Sequence, residues 1–334
     1  MKRATRDLET LKFTFAARHE PVLEVDLGEP FTLETEDAPV GSYRTPDDAA
    51  HLLDAAYRQH TPAKGNPATG PVFVKGVEAG DTLIVNIVDI ELDEQDQQGC
   101  TYWRPGDKPL CDSMTWSDLN KPTLCIAHYE DGHAVIREAC LLEDDGSVSR
   151  QPFLPPLRLR LSPFLGTISL APEREIPSTG LAQGPTGGNL DVRDLCSGTK
   201  VMLPSYCDGG LLYVGDVHAC QGDTEFYGVA IETRSAVTLR CDVIKKKRVP
   251  FVRLEKAESI VQLFCSRPLE DAVWKASTHL MEWICDEHGM SQREAYLLLG
   301  VNADFSINIY QMVDLGGLRY TVGAEITKAS LFRE

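Results

Sequence analysis

The chain has 334 residues, 43% of them hydrophobic and 25% charged, the balance of a globular protein with a substantial core. Its net charge of −17 excludes an extended nucleic-acid-binding surface, because phosphate neutralisation needs clustered lysine and arginine. No apolar run approaches the ~20 residues that span a bilayer, and the charged start MKRATRDLETLKF has no signal-like apolar stretch. A cytoplasmic protein with neither nucleic acid nor membrane as partner is the expectation.

Two strands are predicted first, over 21–28 and 29–38, where apolar and polar residues alternate on either side of a turn at Gly28. A helix is predicted over 45–60, capped by Thr45, with Pro46 at its first position and Asp47 and Asp48 at the positive end of its dipole. Residues 64–92 read as a loop and then two strands around VEAGD. The polar, cysteine-bearing stretch 93–150 reads as an irregular insertion or lid. Residues 155–173 read as strand, proline break, strand. From 199 to 265 short strand signals recur in a mainly antiparallel β pattern.

Two helices are predicted next. The segment 269–289 places Ala272, Ala276, Leu280, Trp283 and Ile284 near one face and ends at Gly289, and 291–304 opens with a Ser291–Glu294 capping box. A β pair over 305–314 and 318–326 closes the pattern. The ten cysteines are scattered without a CxxC pair, which fits free thiols and gives no cysteine zinc site. The basic run Lys245 to Arg248 reads as a solvated turn.

Chemistry concentrates in two segments, GPTGGNLDVRD (184–194) and VGDVHACQGDTE (214–225). Asn189 and Asp191 are two apart, as are Asp216 and His218, so in an extended chain each pair faces one side. Imidazole, carboxylate and amide groups together suit zinc, manganese or a similar ion. Gly187 and Gly188 would let backbone N–H groups approach a developing negative charge. The same residues also fit ordinary turns, since Gly-Asp and Gly-Gly are turn dipeptides. Glu225 is a candidate general acid or base. Asp37, near Glu34, is a turn residue or a second carboxylate. Asn66 and Thr69 read as loop residues. Cys220 lies two residues from His218 and reads as an inert buried thiol rather than a nucleophile. No G-x-S-x-G, P-loop or G-x-G-x-x-G fingerprint is present.

The ordered segments ETEDA (34–38), NPATGPVFVKGVEAGDTLIVNIVDI (66–90), FLGTISLAPE (164–173), GPTGGNLD (184–191), LPSYCDGGLLYVGDVHACQGDTEFYGVAIE (203–232) and EAYLLLGVNADFSINIYQMVD (294–314) together resemble the acetamidase/formamidase family. The resemblance runs nearly end to end and is weakest over 93–150. It implies one domain over 1–334 with a mainly β, sandwich-like fold, α+β additions and two helices near the C-terminus. It implies hydrolysis of a small linear amide such as formamide or acetamide, releasing ammonia, by a homo-oligomer that is a dimer or larger. It implies a divalent metal, zinc with calcium as the alternative, at Asp191, Asp216 and His218. Asn189 and Thr186 fall at substrate positions, with Glu225, Asp37, Gly187 and Gly188 as the catalytic set. Thr186 departs from the pattern, which places a histidine before Gly-Gly-Asn. A threonine hydroxyl cannot replace an imidazole base or ligand near neutral pH, so a larger or cyclic amide, or a non-catalytic ligand-binding role, is the alternative.

Overall fold

A computed structural model of the chain describes residues 1–54, 65–104, 119–313 and 316–331. Two large sheets carry the fold, and most strand pairs are antiparallel. The first has nine strands, with Thr82–Leu92 and Ser235–Ile244 near its centre and Ser306–Gln311 and Tyr320–Thr327 at one end. The second runs from Val148–Arg160 through Leu212–His218 to Gln183–Gly184, with Ala68–Val74 branching off Leu212–His218. Apolar residues of both sheets meet in one core, Leu33, Val85, Leu239 and Val261 from the first and Val72, Ile168, Val214 and Val217 from the second. The mainly β, sandwich-like expectation agrees with this architecture.

Period-two alternation decides which face each strand buries. In Ser259–Ser266, Val261, Leu263 and Cys265 turn into the core between the sheets. Ile260 and Phe264 turn the other way, onto the helices. Two helices cover that outer face, α1 (Leu269–His288) and α2 (Gln292–Val301). The predicted stripe Ala272, Ala276, Leu280, Trp283 and Ile284 is the buried face of α1. Gly289 ends α1 in the left-handed conformation at φ 65°, where a side chain would be strained. Ser291 and Glu294 form the capping box of α2.

Three expectations differ from the structure. The segments around Gly28 are not a hairpin: Leu23–Val25 pairs in parallel with Ala68–Val74, whereas Pro30–Thr35 joins the other sheet beside Ser235–Ile244. Local alternation marks strands but not their partners. Of the predicted helix over 45–60, the described part holds a 3-10 stretch, Pro46–His51, rather than an α-helix, and residues 55–64 lie outside the described residues. The stretch 93–150 is largely regular: Gln98–Trp103, Thr123–Glu130 and His133–Leu142 extend the second sheet. Its buried Cys100, Cys125 and Cys140 pack as small hydrophobic side chains, and they masked the alternation. Residues 105–118 lie outside the described residues.

Leu280 is fully buried on α1 and Trp274 is 69% exposed. Leu280→Ala is expected to cost ~2–5 kcal/mol of unfolding free energy, and Trp274→Ala less than ~0.5 kcal/mol. Denaturant unfolding of the two variants tests this assignment of faces.

Candidate active site

Three neighbouring strands of the second sheet build the site. Phe164–Leu170 is flanked by Leu212–His218 on one side and Gly187–Asn189 on the other, which sets Thr167 opposite both Gly215 and Asn189. The two-residue strand Glu232–Thr233 then sets Glu232 directly opposite His218. Cross-strand partners face the same side, so register alone brings the His218 imidazole and the Glu232 carboxylate together.

The chain leaves regular geometry where the acids enter. Asp191, Asp216 and Glu225 take φ of 49°, 53° and 44°, as does Asn66 at 55°. Left-handed backbone is uncommon outside glycine and concentrates at functional positions. Gly166 permits the convergence: a Cβ there would stand 2.8 Å from both Asp191 Oδ1 and Asp216 Oδ2. Its carbonyl accepts the N–H groups of Leu190 and Asp191.

His218 is almost wholly buried, its ring edge-on to Phe164. The Gln221 side-chain N–H group donates to the carbonyls of Asp191 and Tyr310, which leaves its Oε1 to accept from His218 Nδ1 at 2.8 Å. That contact fixes the tautomer and turns Nε2 toward the acids. Asp216 Oδ1 and Glu232 Oε2 each lie 3.4 Å from Nε2, and Asp191 Oδ1 lies 4.0 Å away. Asp191 Oδ1 and Glu232 Oε2 are buried without a hydrogen-bond partner.

The electrostatics follow from four acids around one imidazole. Burial pushes Asp191 well above the usual carboxylate range, reinforced by Glu225, with which it shares a hydrogen bond. Burial likewise pushes Glu232 up to about 8. Burial works against the Asp216 anion, but His218 beside it and hydrogen bonds from Glu232 and Asn66 together hold its pKa down. Burial also works against a charged His218, yet Glu232 and Asp216 prevail and raise the ring well above its ordinary value. Without a cation, protons carry this charge balance; a divalent ion would replace them.

A cavity of about 350 Å³ lies over these groups. Of the predicted site residues, Asn189, Asp191, Asp216, His218 and Glu225 line it. Four others do not. Asp37 is fully buried beside the cavity in an ion cluster, bonded to Arg44 and to the Gly41 N–H group. Thr186 is tied to the neighbouring strand through its backbone, its carbonyl accepting from Leu170 N and Ser169 Oγ. Gly187 and Gly188 are ladder residues pressed between two strands, where a side chain would collide with the carbonyls of Ile168 and Ala182. Their backbone lies in register with strands on both sides.

Asn189 reaches the cavity with three side-chain hydrogen bonds already made. Its Oδ1 accepts from Asn66 Nδ2 at 2.9 Å and Thr167 Oγ1 at 3.0 Å, and its Nδ2 donates to the Gly180 carbonyl. Its work is to orient Asn66, whose own Oδ1 is a buried acceptor without a partner. Sequence reasoning missed Asn66 and Glu232. Glu232 closes the stretch GVAIE, but its alignment with His218 is a matter of register between distant strands. Asn66 looks like any loop asparagine until its left-handed φ is known.

The acetamidase/formamidase family model matches residues 5–183 and 181–326. The chain is 24% identical over 254 residues to the formamidase of Methylophilus methylotrophus, covering 65% of this chain and 60% of that protein. It is 25% identical over 265 residues to the acetamidase of Mycolicibacterium smegmatis, covering 65% and 62%. The chain thus spans less than two thirds of the length of the curated relatives it matches. Among solved structures it is similar to the acetamidase of Bacillus halodurans, with TM-score 0.77, 28% identity and 97% of each chain covered. It is likewise similar to the acetamidase of Yersinia enterocolitica, with TM-score 0.79, 29% identity, 99% of this chain and 93% of the other.

Removing Asp37 leaves the Arg44 guanidinium buried against a weakened partner set. Asp37→Ala is therefore expected to lower the unfolding free energy by ~3 kcal/mol. Denaturant unfolding checks it, and a loss below ~1 kcal/mol would mean that the pair is not a structural anchor.

Proposed function

The chain belongs to the acetamidase/formamidase family, and we propose from that premise that it hydrolyses the C–N bond of a small primary amide, with a divalent cation held at the cavity floor. One observation carries the reading: an imidazole Nε2 of fixed tautomer is faced by three carboxylate oxygens, two of them buried and unpartnered. Ligand atoms ~2.0–2.2 Å from one ion sit roughly 3.3–3.5 Å apart in a tetrahedron. The two 3.4 Å separations have that spacing. His218, Asp216 and Glu232 would hold the ion, with Asp191 beside them. A nitrogen donor among carboxylates favours zinc or a similar transition ion over calcium, which prefers oxygen ligands alone.

Such an ion supplies positive charge that polarises an amide carbonyl and makes water more acidic. The protein groups supply the rest. Asn66 Oδ1 accepts a hydrogen bond from the substrate –NH2 group and so orients the amide. As water adds to the carbonyl carbon, Glu225 takes its proton. As the C–N bond breaks, Glu225 returns that proton to nitrogen. Amide and water thereby become carboxylic acid and ammonia. Asp37 takes no part in this transfer, because it is tied to Arg44 and does not line the cavity. The apolar wall of the cavity lowers the local dielectric and strengthens each of these interactions.

Elemental analysis of purified protein is expected to find stoichiometric zinc or a similar ion in the native chain and only traces in Asp216→Ala. Glu225→Gln is expected to keep the metal and to lower kcat for ammonia release by ~10²–10⁴-fold. Full metal content in Asp216→Ala would contradict the ligand assignment, and undiminished kcat in Glu225→Gln would contradict the proton transfer.

A further inference from the structure

We infer that the preferred substrate is a linear primary amide whose acyl chain carries several methylenes, rather than formamide or acetamide. The inference rests on the amidase reading above and concerns the part of the cavity that the amide group does not fill. At about 350 Å³ the cavity has room for roughly a dozen waters at ~30 Å³ each. Formamide and acetamide, with a handful of non-hydrogen atoms, would leave most of it to solvent. Pockets of this volume ordinarily enclose much larger molecules.

The walls say what the remaining space prefers. The polar groups that could act on the amide are gathered on the floor: His218, the four acids and Asn66. Much of the rest is aliphatic, with Leu181, Val229, Val313 and Leu318 lining the cavity. Val313, Leu318 and Val229 are buried, whereas Leu181 is 42% exposed and marks the outer end. An apolar tail running from the floor past these side chains toward Leu181 would bury surface that a short amide leaves wet.

Among the described residues one cation, Arg104, lines the cavity and is the natural receptor for an anionic tail. Its guanidinium is already engaged, Nε with the Leu52 carbonyl at 2.5 Å and Nη2 with the Tyr43 hydroxyl at 3.4 Å, and it lies 5.2 Å from the centre of the Tyr102 ring. These contacts hold the charge against protein groups, so the aliphatic side chains set the preference.

The test is ammonia release by the metal-loaded full chain across formamide, acetamide, butyramide and hexanamide, with ε-caprolactam ring opening as a comparison. Burial of each added methylene is expected to raise kcat/KM about fourfold, which makes hexanamide roughly two orders of magnitude better than acetamide. Leu318→Phe, which fills the apolar part, is expected to lower the hexanamide-to-acetamide ratio of kcat/KM at least ~10-fold. A series that is flat or peaks at formamide or acetamide would overturn this inference and leave the amidase reading standing. Faster turnover of the lactam than of hexanamide would overturn the linear-chain assignment. No ammonia from any amide would remove the amidase reading itself, and this inference with it.

Discussion

Everything at the cavity floor depends on burying four carboxylates around one imidazole. Isolated buried charge is costly, and a mixed set of partly protonated acids is a poor substitute for solvent. The arrangement is stable only because each group is held from behind. Gln221 anchors the ring, the Ala230 N–H group donates to Glu232 Oε1 at 3.0 Å, and Gln311 bonds Asp191 Oδ2. The oxygens left over are those that face His218 Nε2. Asp191 and Glu232 are thus satisfied on their far sides and open toward Nε2, an arrangement that would suit a cation whose binding would add to folding free energy.

The supporting shell reaches further than the cavity. Asp37 and Glu36 pair with Arg44 and Arg234, and Asp96 pairs with both arginines. This cluster fixes the loop whose Ala38 carbonyl accepts the Asn66 N–H group at 2.9 Å. Asn66 then rests on Asn189, which rests on Thr167 in the central strand. Asp37 therefore contributes through a chain of contacts that ends at Asn66. Gly187 and Gly188 contribute in the same indirect way, by letting two strands close so tightly that Asn189 is carried to the floor.

Much of the fold could be read from residue pattern. The stripe on α1, the capping box of α2 and the alternation in Ser259–Ser266 are local consequences of helical and extended geometry. The pairing of strands was not local, and the Gly28 segments went to different sheets for that reason. The site divided along the same line. Asp216 and His218 were legible because they share one strand face, and Asp191 because it follows the glycine pair. Glu232 needed the register of a two-residue strand, and Asn66 needed a backbone conformation that no residue type announces. Asp37 shows the converse: a polar residue beside the right motif can belong to the scaffold when its bonds are already taken.

The most direct test of this account is X-ray absorption at the metal edge of the purified full-length protein. The account predicts a first shell of oxygen and nitrogen at ~2.0–2.2 Å with the multiple scattering of a single imidazole, since His218 is the one histidine among the cavity-lining residues described. A sulfur shell at ~2.3 Å, two or more imidazoles, or a metal edge that vanishes on gel filtration would contradict it.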